Sequence, residues 1–292
     1  MKIAVISDIH GNIFSLEKFL IIAKEESFDE IICLGDVLDP FEESLEVYEL
    51  LKARKIPILR GNHEDYTIRF HKDSNHESWW KADKRSIAFV AQRMGALRAK
   101  ELEALPYSVT REFSSNLRIY FCHASPWSNS ESYFDQWHQQ MKDSIQKIES
   151  EVLIGGHKHV CFERTFGGKK LICAPSLGIP QSGLARAQYL VLEMKANTLQ
   201  HRFESFEYDN ESVLKQYLCS KWFDQGAPFS WLLADEILCG KRRVGPLLRR
   251  MRIKFGALPT EENWRTEIYD YLVEVNRLNL LENFCDRKYW QD

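Results

Sequence analysis

The 292-residue chain carries 39 Lys and Arg against 42 Asp and Glu, a net charge of −3, and 44% of its residues are hydrophobic. That length suits one large α/β domain with an addition, or two domains, and the composition is that of an ordinary globular protein. So small a net charge exerts no global pull toward nucleic acid or anionic membrane, so any partner must be argued from local sites. No apolar stretch approaches a membrane span, and the N-terminal one meets Asp8 too soon for a signal sequence. Seven cysteines, an odd number without Cys-x-x-Cys spacing, read as reduced and packed thiols, with Cys33, Cys122 and Cys173 in expected strands. The expectation is a cytoplasmic protein with no membrane partner.

In chain order, residues 2 to 7 form an apolar strand, and Asp8-Ile9-His10-Gly11-Asn12 is the loop leaving it. Asn12 caps a helix on which Ile13, Leu16, Leu20 and Ala23 recur at helical spacing. Residues 31 to 34 give a second buried strand ending in Gly35-Asp36-Val37-Leu38-Asp39, and Leu45, Tyr48 and Leu51 mark the next helix. Ile56, Ile58 and Leu59 predict a third strand running into Arg60-Gly61-Asn62-His63-Glu64. Strands alternating with helices imply parallel pairing, which puts each polar cluster at a strand's C-terminal end, where open α/β sheets build ligand sites.

Residues 64 to 105 are polar and helical in pattern. The adjacent Trp79 and Trp80 cannot face the same way, so at least one is expected to be partly exposed, in boundary packing or at a substrate rim. Residues 107 to 113 and 117 to 122 predict a hairpin across 114 to 116, and its second strand delivers His123. A helix near 137 to 149 precedes the strand Val152-Leu153-Ile154, which ends in Gly155-Gly156-His157-Lys158-His159. Gly167-Gly168 joins strands near 160 to 166 and 169 to 174. Ala174-Pro175-Ser176-Leu177-Gly178 follows, and strands near 187 to 193 and 198 to 206 finish a core domain of residues 1–208. Residues 209–292 turn helical and predict an extension packed on that core.

Five loops thus present Asp8 and His10, Asp36, Asn62 and His63, His123, and His157 with His159. Taken singly, Asp36 is a helix cap, Asn62 a turn residue and each histidine a satisfied polar group. Five such clusters at five strand ends in one chain are not explained that way. His and Asp with one Asn suit a borderline divalent ion such as Mn²⁺, Fe²⁺ or Zn²⁺ better than Ca²⁺ or Mg²⁺. Seven ligands exceed the needs of one tetrahedral zinc and suggest two metals sharing a carboxylate.

Here the chain resembles the calcineurin-like metallophosphoesterase family, whose Asp-x-His, Gly-Asp-x-x-Asp, Gly-Asn-His-Asp/Glu, lone His and Gly-His-x-His motifs stand in order. They are Asp8/His10, Gly35/Asp36/Asp39, Gly61/Asn62/His63/Glu64, His123 and Gly156/His157/His159. The resemblance implies an α/β fold, a four-layer αββα sandwich of two mixed sheets flanked by helices, here with a helical C-terminal extension. It implies that Asp8, His10, Asp36 and His159 hold one ion and that Asp36, Asn62, His123 and His157 hold the other. The cofactors expected are two divalent metal ions, manganese first, with iron, zinc, nickel or cobalt as alternatives. His63 would be the general acid and Asp39 its orienting carboxylate. The implied activity is hydrolysis of a phosphodiester or nucleotide polyphosphate by in-line attack of a metal-bridging hydroxide.

The layout is similar to bacterial members acting on small phosphodiesters or dinucleoside tetraphosphates, so the partner expected is a small phosphorylated substrate such as a nucleotide. The alternatives are a phosphomonoesterase, including a protein phosphatase, and a nonenzymatic adaptor with the same fold, as a retromer subunit is. Pro40 stands where the protein-phosphatase branch carries a phosphate-binding Arg, and His63 with all seven ligands is present, where the adaptor branch has lost ligands. A nuclease subunit is disfavoured by the modest net charge. Lys158 and Ala174-Pro175-Ser176-Leu177-Gly178 depart from the family's frequent residues without removing a ligand. Residues 241 to 254 hold seven basic residues and no acid. This stretch reads as a solvated helix face balanced by Glu261, Glu262, Glu267, Asp270 and Glu274, the alternative being an extension of the site toward a polyanionic substrate. Trp222, Phe223, Phe229 and Trp231 either pack on the core or form a dimer surface.

Overall fold

The computed structural model describes residues 1–114, 117–132, 138–195, 198–256 and 259–277. The predicted hairpin tip at 115–116, the start of the helix expected from 137, and residues 278–292 of the extension lie outside the described residues.

β1 (Lys2–Ile6), β2 (Glu30–Cys33), β8 (Ala187–Lys195) and β9 (Thr198–Phe206) form one sheet in the order β2-β1-β8-β9. β1 runs parallel to β2 and antiparallel to β8. The second sheet, in the order β3-β4-β5-β7-β6, contains β3 (Ser108–Ser114), β4 (Leu117–Cys122), β5 (Val152–Gly155), β6 (Phe162–Phe166) and β7 (Lys169–Cys173). Its centre, β4-β5-β7, is parallel, with an antiparallel strand at each edge.

Alternation along β1 builds the layers, because successive side chains leave opposite faces of a strand. Ile3 and Val5 meet Ile119, Phe121, Ile154 and Ile172 of the other sheet in the inter-sheet core. Ala4 and Ile6 face the helices α1 (Ile13–Glu25) and α2 (Ser44–Ala53), which bury Leu16, Phe19, Val47 and Leu51. On the outer face of the second sheet, Cys122, Leu153 and Leu171 pack on Met141 and Ile145 of α5 (Gln139–Lys147). Helix, sheet, sheet and helix give the four-layer αββα sandwich.

Between the sheets in sequence stand α3 (Asn62–Lys72), a short 3-10 turn over Glu77–Trp80 and α4 (Arg85–Glu103), with Gly95 at φ +73° breaking the helical geometry of α4. The predicted third strand at 56 to 59 is instead a single parallel bridge between Cys33 and Ile58. Cys33 N–H donates to Pro57 O and Leu59 N–H to Cys33 O, but Pro57 has no N–H to continue a ladder. Trp80 is 38% exposed, while Trp79 packs on Phe70.

Beyond residue 208 come α6 (Asn210–Cys219), α7 (Lys221–Gln225), α8 (Phe229–Cys239), α9 (Val244–Phe255) and α10 (Glu261–Glu274). Val213, Tyr217, Trp222, Phe223, Phe229, Trp231 and Leu232 join the same apolar cluster as Ile6 and Phe19. Tyr217 meets Phe41 at 5.2 Å between ring centroids, and Trp222 meets Phe89 at 4.9 Å. These aromatics therefore pack on the core. Cys33, Cys122 and Cys173 are buried free thiols within β2, β4 and β7.

Trp231 is among the largest fully buried side chains. Trp231→Ala is expected to cost about 3–5 kcal/mol, read as a fall in the urea midpoint. A loss under about 1 kcal/mol would show that α8 is not integral to the core.

Candidate functional site

The C-terminal ends of β1 and β2 in one sheet meet those of β4 and β5 in the other. Gly156 passes so close to β1 that a Cβ there would lie 2.0 Å from Ser7 Oγ and 2.7 Å from Asp8 Oδ2. A Cβ on Gly61 would stand 2.2 Å from Asp36 Oδ1. Only glycine permits the loops to converge this tightly. Among the described residues nine non-glycine residues have positive φ, and six of them are Asp8, His10, Asp36, Asp39, His157 and His159. Such backbone costs about 1–3 kcal/mol per residue and persists only where the surroundings impose it. It is concentrated where the chain must aim functional side chains inward.

All nine residues singled out in the sequence come together. His10 Nδ1 donates to Asp39 O, His123 Nδ1 to Leu34 O at 3.1 Å and His159 Nδ1 to Ile179 O at 2.7 Å. A carbonyl can only accept, so each ring carries a proton at Nδ1 and its Nε2 is turned into the site, with a lone pair to offer whenever the ring is neutral. His10 Nε2 and His159 Nε2 stand 3.1 Å apart, and Asp8 Oδ1 lies 3.3 Å from His159 Nε2. That Asp8 oxygen is buried without a hydrogen-bond partner. Three electron-pair donors thus converge on one point.

Asp36 organises the adjoining group. Its Oδ2 is 3.1 Å from His123 Nε2, and its Oδ1 accepts from His63 N–H at 2.9 Å. The inward atom of the Asn62 amide lies 3.1 Å from His123 Nε2, 2.9 Å from His157 Nδ1 and 3.2 Å from Asp36 Oδ2. Either the amide nitrogen donates to these acceptors or its oxygen joins them around a cation. Asp8, His10 and His159 have ligand atoms close enough to hold one metal ion, as do Asp36, His123 and His157, and also His10, Asp36 and His63. The donor set, the orphaned Asp8 oxygen and the fixed tautomers fit divalent metal. Asp39 belongs to none of these groups. Its Oδ2 stands 3.0 Å from His63 Nδ1.

The pKa shifts express the same demand for positive charge. Burial disfavours a charged imidazole at His63 and His123, yet the surrounding carboxylates together outweigh it, Asp36 with Asp39 at His63 and Asp36 with Asp8 at His123, and raise both to about 9. Burial, with His63 adjacent, lowers His10 to about 4, and burial, with His123 adjacent, lowers His157 to about 3. Against burial, His159 pulls Asp8 well below the carboxylate range, and His123 does the same for Asp36.

Two supporting elements were not assigned roles from the sequence. The Glu64 carboxylate, fully buried, accepts from Asp36 N–H (2.9 Å), Val37 N–H (2.9 Å) and Gly61 N–H (2.8 Å). It ties the β2 loop to the first turn of α3, and the Gly-x-x-Glu spacing of a capping box was its available signal. The 174 to 178 loop straps the end of β1: Ser176 Oγ–H and Gly178 N–H both donate to Asp8 O, at 2.7 and 3.1 Å. Its departure from the family's frequent residues thus falls on a loop that holds the backbone of Asp8.

The site opens into a cavity of about 540 Å³, lined by His10, His63 and His159 at its floor and by Trp79, Lys158 and residues of α8 and α9 on its walls.

The sequence model of the calcineurin-like phosphoesterase superfamily domain matches residues 1–197, and the chain belongs to that family. It is 25% identical over 210 residues to the uncharacterized protein MJ0912 of Methanocaldococcus jannaschii, covering 66% of this chain and 83% of that one. Among solved structures, a metallophosphoesterase from Sphaerobacter thermophilus superposes with a TM-score of 0.63 at 22% identity, covering 82% of this chain and all of that one. The hypothetical protein PH1004 from Pyrococcus horikoshii superposes at 0.62 with 18% identity, over 83% and 99% of the two chains. At these identities the superpositions speak to the fold. No helix among the described residues is long and apolar enough to cross a membrane.

Glu64→Ala leaves three buried amides without their acceptor, and is expected to destabilise the protein by at least about 3 kcal/mol in urea denaturation. A loss under about 1 kcal/mol would mean that the amides find other partners.

Proposed function

We propose that this chain is a divalent-metal-dependent phosphoesterase that cleaves a phosphodiester or nucleotide polyphosphate in a small substrate. The observation that carries the reading is the meeting of His10 Nε2, His159 Nε2 and the unpartnered Asp8 Oδ1, all electron-pair donors with their protons held elsewhere. Asp8, His10, Asp36 and His159 would hold one ion, and Asp36, Asn62, His123 and His157 a second, with manganese the first candidate. Two of the three groups of convergent ligand atoms, Asp8 with His10 and His159 and Asp36 with His123 and His157, support this division. Bound there, divalent ions supply Lewis acidity toward phosphoryl oxygens and lower the pKa of water.

The chain's own residues do the rest. The backbone carbonyls of Leu34, Asp39 and Ile179 keep three imidazoles in one tautomer and one orientation. Glu64 and the 174 to 178 loop hold the loops that carry Asp36 and Asp8. His63 faces the cavity beside this cluster, with Asp39 at its Nδ1, so its Nε2 proton is available to the departing oxygen. As the leaving group departs, that proton prevents build-up of an alkoxide.

Hydrolysis of a small phosphodiester with Mn²⁺ is expected to cease on exhaustive chelation and to return when the ion is restored. Asp36→Asn is expected to lower turnover at least about a thousandfold, together with the measured metal content. Full activity in the chelated protein would exclude metal chemistry. His63→Gln is expected to lower kcat by about 10²–10⁴-fold at unchanged metal content, and an unaltered kcat would remove it from the mechanism.

A further inference from the structure

α8 and α9 close one side of the cavity over His10, His63 and His159. On α9, Val244, Leu248 and Arg252 are spaced four residues apart, share one face and line that cavity, while Leu247 and Met251 are buried in the core. The basic residues of 241 to 254 divide by partner. Arg243 pairs with Asp235, Arg250 with Glu267 and Glu274, and Lys254 with Glu267. Of the five acids expected to balance the stretch, Glu267 and Glu274 pair with it.

Arg242 and Arg252 behave differently. Both are exposed, both line the cavity, and neither has an ion-pair partner among the described residues. Gly245 makes room for the first of them: a Cβ there would lie 2.3 Å from Arg242 Nε. Arg242 shares the cavity lining with His159 and with the Glu236 carboxylate. Glu236 already accepts from Arg243 N–H, Val244 N–H and the Gln181 amide, and the other acid on the outer wall is Asp83, next to Lys84. Phe229, Leu233 and Leu248 give the same wall an apolar strip.

We infer that Arg242 and Arg252 form a second anion subsite, and that the substrate is a nucleotide-sized phosphoester carrying a further phosphate beyond the one cleaved. The inference rests on the phosphoesterase reading of this cavity. A guanidinium matches a phosphate with paired N–H donors, and a cavity of about 540 Å³ falls within the range of such ligands. The apolar strip receives the ring portion of the substrate, and the cluster of histidines and carboxylates receives the scissile phosphate.

Two esters that release p-nitrophenol from the same phosphodiester test this: thymidine 5′-(p-nitrophenyl phosphate) and its 3′-phosphorylated form. Wild type is expected to favour the second by at least about tenfold in kcat/KM, expressed in KM. Arg242→Ala/Arg252→Ala is expected to lose that preference, and Arg249→Ala, whose residue is not on the cavity wall, to keep it. Equal kcat/KM for the two esters in wild type, or a preference that survives the double variant, overturns the subsite while leaving the phosphoesterase intact. Cleavage of neither ester would bring down the phosphodiesterase reading alone, because binding decides the subsite independently. By calorimetry on the full chain without added metal, adenosine 3′,5′-bisphosphate is expected to bind about tenfold tighter than AMP, and this advantage to vanish in the double variant. Equal affinities in wild type overturn the subsite.

Discussion

Asp8 and Asp36 are almost wholly removed from water, and a buried carboxylate is tolerated only where charge or hydrogen bonds replace its hydration. Around them the chain assembles five histidines, one amide and very little else that could do so. His123 and His63 answer Asp36, and His159 answers Asp8. The contact with His159 is charge without a hydrogen bond: that Asp8 oxygen, Oδ1, is buried with no hydrogen-bond donor, and the Nε2 atoms of His10 and His159 both face it. The arrangement is stable as a set, since each member offsets the desolvation of another, and its convergent donor atoms could hold a metal ion.

Holding that arrangement demands backbone that resists it. Six site residues in the left-handed region, at about 1–3 kcal/mol each, store strain that a loosely packed loop would release. The restraint comes from Glu64, which gathers three amides from two loops, and from Ser176 and Gly178, which grip Asp8 O. These contacts touch no metal or substrate position directly. They hold the histidine and carboxylate atoms of the cluster in fixed positions, as a metal site would require.

The helices after residue 208 belong both to the core and to the cavity wall. Their aromatic residues complete the apolar cluster on the outer face of the first sheet, and the same helices wall the cavity above the histidines. Movement of α8 would therefore disturb the core and the cavity together. The family domain match ends at residue 197, before these helices begin.

Much of this was legible in the sequence. Apolar runs ending in Asp, His or Asn gave the strands and the loops that follow them, because a buried strand must be apolar on both faces and its functional residues can sit only at its end. The expected third strand failed because Pro57 interrupts the amide ladder, a local feature that the apolar count at Ile56, Ile58 and Leu59 concealed. Glu64 stood inside a quoted motif, yet nothing in its spacing told that its carboxylate reaches Asp36 and Val37 as well as Gly61. The sequence alone determined which polar clusters come together and, for four of the five, at which strand ends they lie, since residue type and periodicity are local properties. Which of the basic residues of 241 to 254 face the cavity was decided only by tertiary structure. The rotation of α9 about its axis is set by Leu247 and Met251 entering the core and by Glu267 reaching across from α10, and no local spacing encodes where those partners stand.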